Sequence, residues 1–186
     1  MSQISKPILG SYAAVALPAG AMAMPIAVYL PPLYGESLGL SLATVGLVFT
    51  LARIWDVITD PIMGVVIDKY GSRWGQYKHW IAVAIPILML AVYMVFLPSE
   101  DSASALYLGG WLLVLYVGYT ILSIAHQSWG AQLASGYDER SRLYGWREIF
   151  VISGMGLVLA IPVAVEMLGE AALTTKVASM GLFCLI

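Results

Sequence analysis

Six apolar stretches run through this sequence, at residues 8–33, 42–67, 80–98, 105–133, 144–168 and 177–186. A helix crossing a hydrocarbon core about 30 Å thick needs about 20 residues at about 1.5 Å each, so the first five are predicted membrane spans. The sixth rises only about 15 Å and begins a span without completing it. Inside lipid every backbone N–H and C=O must find a partner within the protein, and an apolar segment of about 20 residues meets this as a helix. The expectation is an all-α, polytopic membrane protein whose chain is the amino-terminal part of something longer. The first span is not expected to be a cleaved signal, because its apolar run is too long and no basic cluster precedes it.

Composition removes other classes. The chain is 60% hydrophobic and 11% charged, against about 25% charged in soluble domains. Nine Lys and Arg against eleven Asp and Glu give a net charge of -2, which leaves no basic excess for nucleic acid. Cys184 is the single cysteine, so no internal disulfide framework or thiolate metal cluster is expected. Without a nucleophile beside a base, a phosphate-cradling loop or metal-ligand spacing, the chain does not read as an enzyme and no cofactor is expected.

Basic residues fix the predicted orientation. Lys6, Lys69, Arg73, Lys78, Arg140, Arg142 and Arg147 fall at the start and in alternate connections, while Lys176 alone falls on the other side. Basic connections stay in the cytoplasm, which places the amino terminus inside and Glu36, Glu100, Asp101 and Glu170 outside. The predicted location is a cell membrane, most simply a bacterial cytoplasmic membrane, with the lipid bilayer as obligatory surroundings.

Three charges interrupt the second span. Arg53, Asp56 and Asp60 are spaced three and four apart, hence on one helix face. Each costs about 2.5 to 3.5 kcal/mol near the bilayer centre on insertion scales, so the stripe must meet a polar cavity, a partner or an ion. Two carboxylates one turn apart repel unless a cation or Arg53 intervenes, an arrangement suited to a small cation or a proton. An ion-paired network that only joins helices is the alternative. Pro61 also frees the carbonyl of Val57 from its usual helical donor.

Beyond this span lie Gly64, Asp68, Lys69, Gly71 and Arg73. Their spacing resembles the cytoplasmic signature of the major facilitator superfamily: glycine, three residues, aspartate, a basic residue, any residue, glycine, any residue, a basic residue. Physically, Gly64 allows a neighbouring helix to approach, Gly71 a tight turn, and Asp68 a cap or a basic partner. The resemblance implies that these residues gate the change between inward-facing and outward-facing states. A short basic loop that only fixes topology is the alternative.

The likeness narrows over Arg53 to Gly64 and Ser72 to Trp80, which are similar to the glycoside, pentoside and hexuronide:cation symporters. It implies the amino-terminal six-helix bundle of the superfamily fold, with the sixth helix cut short and a carboxyl-terminal half missing. It further implies that Asp56 and Asp60 ligate the coupling cation, Na+ or H+, with no metal beyond such an ion. Arg147 stands near a helix-five arginine that contacts sugar in the family. Residues 12–29 carry no acid where the family places one for sugar, and Ser123 stands where the family has a helix-four aspartate.

Ser123, His126 and Gln127 are three and four apart and are expected to share a face that hydrogen-bonds a small-molecule solute, with His126 able to exchange a proton. Interhelical hydrogen bonding is the alternative for these three. The expected function is cation- or proton-coupled symport of a sugar, glycoside or related organic solute. A lipid-like or drug-like cargo on the same fold, or a truncated non-transporting membrane module, remains open on the sequence.

Overall fold

The computed structural model describes residues 4–99, 103–134, 136–169 and 172–185. The expected outer acids Glu100, Asp101 and Glu170, and Ile186 at the end of the sixth stretch, lie outside the described residues. Six helices follow in order: α1 Lys6–Ser37, α2 Leu42–Lys69, α3 Lys78–Phe96, α4 Ala105–Leu133, α5 Tyr137–Met167 and α6 Leu173–Cys184. The first five are long and apolar enough to cross a membrane.

Their ends follow local chemistry. The hydroxyl oxygens of Ser41 and Ser104 accept the backbone N–H of Thr44 and Tyr107, satisfying free donors at the starts of α2 and α4. Hydropathy marks where a chain enters lipid, whereas a helix continues into the polar layer. Accordingly α5 opens at Tyr137 and not at Tyr144, with Asp138 and Glu139 in its first turn beside the positive end of the helix dipole. Likewise α2 runs on to Lys69, α3 opens at Lys78 and α6 at Leu173. At its far end α3 stops at Phe96, short of Pro98, because a proline disfavours helical geometry in the residue before it.

Prolines act differently from helix to helix. Pro61, Pro86 and Pro162 are carried inside continuous helices, whereas α1 changes to wider π-type turns at Pro25–Tyr29 and again at Leu33–Ser37. A π-type turn accommodates lost i→i−4 hydrogen bonds without ending the helix.

Small residues set the closest crossings. A Cβ on Gly20 of α1 would fall on the Val151 carbonyl of α5, and one on Gly154 of α5 would fall on the Leu17 carbonyl of α1. The two backbones therefore touch, as small residues permit between membrane helices. On the other side α3 packs on α4 and α2 on α4, around a core that includes Phe96, Leu108, Leu112, Leu115 and Met180. The Tyr34 hydroxyl donates to the Val95 carbonyl at 3.0 Å and ties α1 to α3. A row on α2, Leu47, Leu51, Ile54, Ile58, Ile62 and Val65, stays exposed, an apolar stripe at helical spacing that nothing in the described residues covers.

Candidate cation and solute site

Asp56 lies at the midpoint of α2 and Thr120 at the midpoint of α4, so the packing of these helices brings both to mid-depth. The Thr120 hydroxyl is 2.7 Å from Asp60 Oδ1 and 3.2 Å from Asp56 Oδ1. It is buried while Asp60 is exposed and Asp56 is intermediate. Two carboxylates one turn apart thus converge on one hydroxyl, which has a single proton to donate and lone pairs to offer a cation. The arrangement supplies hard oxygen donors of the kind that alkali cations and protons take.

Arg53 joins loosely. Its Nη1 is 3.4 Å from Asp56 Oδ2, and the side chain is 66% exposed against 18% for Asp56. An exposed ion pair of this length contributes little, so Asp56 is not neutralised by a tight partner. The guanidinium also lies 5.1 Å from the centre of the Tyr116 ring, within range of a cation–π contact.

Asp56 borders two cavities. One, of about 290 Å³, is lined by Asp56, Asp60, Thr120, Ser123 and Gln127 with Tyr119 and Ile124. The other, of about 170 Å³, is lined by Ala23, Ile26, Arg53, Asp56, Leu115, Tyr116 and Tyr119. Of the residues expected to meet solute, Ser123 and Gln127 stand together in the first lining, and Gln127 Nε2 donates to Ser123 Oγ at 2.9 Å.

The structure separates His126 from them. Its Nε2 is 2.9 Å from the Tyr12 carbonyl, the Tyr12 hydroxyl donates to the His126 carbonyl at 3.2 Å, and the rings stack at 4.1 Å. The shared face expected from spacing does not form, for a geometric reason. At 3.6 residues per turn Gln127 lies about 40° from Ser123 on one side and His126 about 60° on the other, leaving about 100° between them. His126 is 3% exposed and holds α4 to α1. Replacing it with alanine is expected to destabilise the fold by about 2 to 4 kcal/mol, whereas Gln127→Ala is expected to stay within about 0.5 kcal/mol. Thermal unfolding of both variants in detergent checks the contrast.

Arg147 is also outside the lining. Its Nη1 is 3.3 Å from Glu148 Oε2 on the same helix, and its Nε is buried without a hydrogen-bond partner. Nearby, the Tyr144 hydroxyl donates to the Gln127 carbonyl at 2.9 Å and fixes α5 against α4.

In the connection between α2 and α3 Asp68 meets no basic side chain among the described residues. Its Oδ1 accepts the Tyr77 hydroxyl at 3.2 Å and its carbonyl accepts Gln76 Nε2 at 2.8 Å. Burial first, and then the bond to Asp68, push the Tyr77 phenol above its ordinary range, so it remains a donor at neutral pH. No atom lies within 4 Å of a Cβ placed on Gly64, so the close approach expected there is absent among the described residues. The turn glycine is Gly75, with φ +107°, and not Gly71. Lys69 lies 5.8 Å from the Tyr70 ring centre, and Arg73 borders a cleft with Ser72, Trp74 and His79.

Thr120 went unremarked in the sequence. Its signal was available: with Ser123 and Gln127 it makes a polar stripe at i, i+3, i+7 in an apolar helix. For a cation held between the two carboxylates, Thr120→Ala is expected to weaken affinity about tenfold or more, while Thr120→Ser stays near wild type, because the serine keeps the hydroxyl beside the charges. Isothermal titration with Na+ and with acid checks this.

Comparison with known proteins gives the arrangement its context. The model of the MFS/sugar transport protein family matches residues 11–186. Inner membrane symporter YicJ of Escherichia coli is 27% identical over 141 residues, covering 74% of this chain and 31% of YicJ. The isoprimeverose transporter of Lactiplantibacillus pentosus is 29% identical over 141 residues, covering 73% of this chain and 29% of that protein. A weaker match, sodium-dependent lysophosphatidylcholine symporter 1 of Gallus gallus, is 24% identical over 131 residues, covering 67% and 24%. The chain thus spans about 30% of the length of the first two relatives. All three are named as symporters or transporters and none as an enzyme. With its helical bundle and the family match along almost its whole length, this chain belongs to the MFS/sugar transport protein family.

Proposed function

We propose that this chain is the amino-terminal half of a secondary active transporter that couples a cation or a proton to the movement of a sugar, glycoside or related organic solute. The observation that carries it is the meeting of Asp56 and Asp60 on Thr120 at mid-depth, beside a cavity shared with Ser123 and Gln127. A cation held there screens the two carboxylates from each other, and solute hydrogen-bonding to Ser123 and Gln127 lies against the same cavity. Each ligand then favours the state that the other stabilises.

The remaining proposed partner is a carboxyl-terminal half, corresponding to the part of the relatives that this chain does not cover. It would cover the exposed apolar stripe of α2 together with Arg53 and Asp60, and alternating access would rock the two halves about the shared site. The basic residues of the connections, Lys69, Arg73, Lys78, Arg140, Arg142 and Arg147, support an amino terminus on the cytoplasmic side of a bacterial membrane. Arg147, with its unpartnered Nε, is proposed as a solute contact that forms when the halves close, and the residues Gly64 to Arg73 as the gate.

A second reading keeps the fold and changes the cargo to a lipid-like molecule. Two observations favour it: residues 12–29 hold no acid, and the wall that α1 gives the smaller cavity is Ala23 and Ile26. Uptake of labelled glycosides, pentosides, uronic acids and lysophospholipids by vesicles holding the intact protein separates the two. Sugar symport predicts uptake that follows an imposed Na+ or proton gradient. Lysophospholipid uptake with no response for any sugar would replace it with the lipid reading.

A further inference from the structure

Between α2 and α3 the chain reverses through a turn closed by reciprocal backbone bonds, Ser72 N to Gly75 O at 3.3 Å and Gly75 N to Ser72 O at 3.0 Å. Ser72, Arg73, Trp74 and His79 line an open cleft of about 340 Å³ beside it. Charge around the cleft is one-sided. Lys69, Arg73 and Lys78 face a single acid in this connection, Asp68, whose Oδ1 already accepts the Tyr77 hydroxyl. Lys69 and Lys78 lie over aromatic rings, Tyr70 at 5.8 Å and Trp129 at 5.5 Å. Arg73 has no ion pair or hydrogen bond among the described residues. His79 spends Nδ1 on the Gly75 carbonyl at 3.1 Å, and Nε2 is left for another partner.

Aromatic exposure at the same place points to a lipid and not to a dissolved anion. Trp74 is 70% exposed and Tyr70 57%, at the junction of two membrane-spanning helices where indole and phenol rings rest at headgroup depth. A free anion would gain nothing from those rings, whereas a phospholipid presents a phosphodiester to the guanidinium and its glycerol esters to the indole. The planar fork of Arg73 matches two phosphate oxygens at once.

We propose that this cleft binds the headgroup of an anionic phospholipid of the cytoplasmic leaflet, with Arg73 on the phosphodiester and Trp74 against the ester region. Only the choice of leaflet rests on the orientation proposed above. Affinity measured in micelles is independent of it, and independent of whether the protein transports sugar.

Native mass spectrometry of the intact protein in detergent, titrated with phosphatidylglycerol and phosphatidylcholine of equal chain length, tests it. Phosphatidylglycerol is expected to bind about tenfold tighter. Arg73→Gln is expected to lower that affinity about fivefold and the weaker phosphatidylcholine affinity by less, because the choline cation already offsets its phosphodiester, while Arg73→Lys retains part of it. Arg142→Gln, a charge removed from the exposed start of α5, is expected to change affinity less than about twofold. Equal affinity for the two lipids overturns the proposal. So does an equal loss in Arg73→Gln and Arg142→Gln, which means diffuse attraction, or displacement of the lipid by inorganic phosphate, which means a site for soluble anions. If circular dichroism shows that Arg73→Gln misfolds, Trp74→Ala carries the same decision. A loss of about threefold for phosphatidylglycerol supports the site, and no loss overturns it.

Discussion

Asp60→Asn in the intact protein is expected to reduce gradient-driven solute uptake at least a hundredfold. Asn is nearly isosteric and can still accept the Thr120 hydroxyl through its side-chain oxygen, so the hydrogen bond at 2.7 Å has a successor. What disappears is one negative charge beside the cation. At about 4 Å and an effective dielectric constant near 20, that charge contributes about 4 kcal/mol to holding a monovalent ion. Each 1.4 kcal/mol is about tenfold, so about 3 kcal/mol of that value is enough for the hundredfold loss. Asp56→Asn is expected to act similarly but to disturb more, because it also releases Arg53 from its contact at 3.4 Å. Uptake of the transported solute, with the variant's helical content matched to wild type, is the measurement. Wild-type uptake under a gradient by Asp60→Asn would remove the carboxylate pair from the mechanism.

The largest effect on folding is expected at the α1–α5 crossing. In Gly154→Val the added Cβ would occupy the space of the Leu17 carbonyl, and a backbone atom of a packed helix has no rotamer into which to retreat. Overpacking of well-filled interiors costs about 1 to 3 kcal/mol, and a collision with backbone belongs at or above the upper end. Gly20→Val meets Val151 in the same way from the other helix. The two changes share one contact surface, so the double variant is expected to lose less than the sum of the singles. Gly156 is the control: it lies on the same helix with nothing within 4 Å of a Cβ. Gly156→Ala is expected to be neutral, or stabilising by up to about 1 kcal/mol, through helix propensity. Chemical denaturation in detergent ranks the variants, and equal stability of Gly154→Val and Gly156→Ala would show that this crossing is looser than described.

Much of this could be read from the residues before any coordinates. Apolar length located all six helices, because hydropathy reports what lipid will admit. It failed at helix ends such as Tyr137, where the helix extends into a polar layer with Asp138 and Glu139 in its first turn. The pairing of Asp56 with Asp60 follows from spacing alone. Their shared partner Thr120 does not, since which helix packs against α2 is a tertiary fact. His126 shows the opposite failure. Spacing placed it beside Ser123, but a helix face has width, and an angle of about 60° turned it into the contact with Tyr12. The signature marks Gly64 and Gly71 as packing and turning residues, while the positive φ falls at Gly75 and the close crossings at Gly20 and Gly154. A motif records which residues recur and leaves open which backbone geometry each one serves.

The most direct test of the proposed cation site follows ions and solute together. The intact protein is placed in proteoliposomes with internal pH and internal Na+ read at once, and glycosides, pentoses and uronic acids are added in turn. One solute class is expected to drive inward movement of one of the two ions, and Asp56→Asn and Asp60→Asn are each expected to abolish that movement while their folds persist. Undiminished ion movement in both variants would contradict it, because the coupling ion would then bind somewhere other than the carboxylates that meet on Thr120.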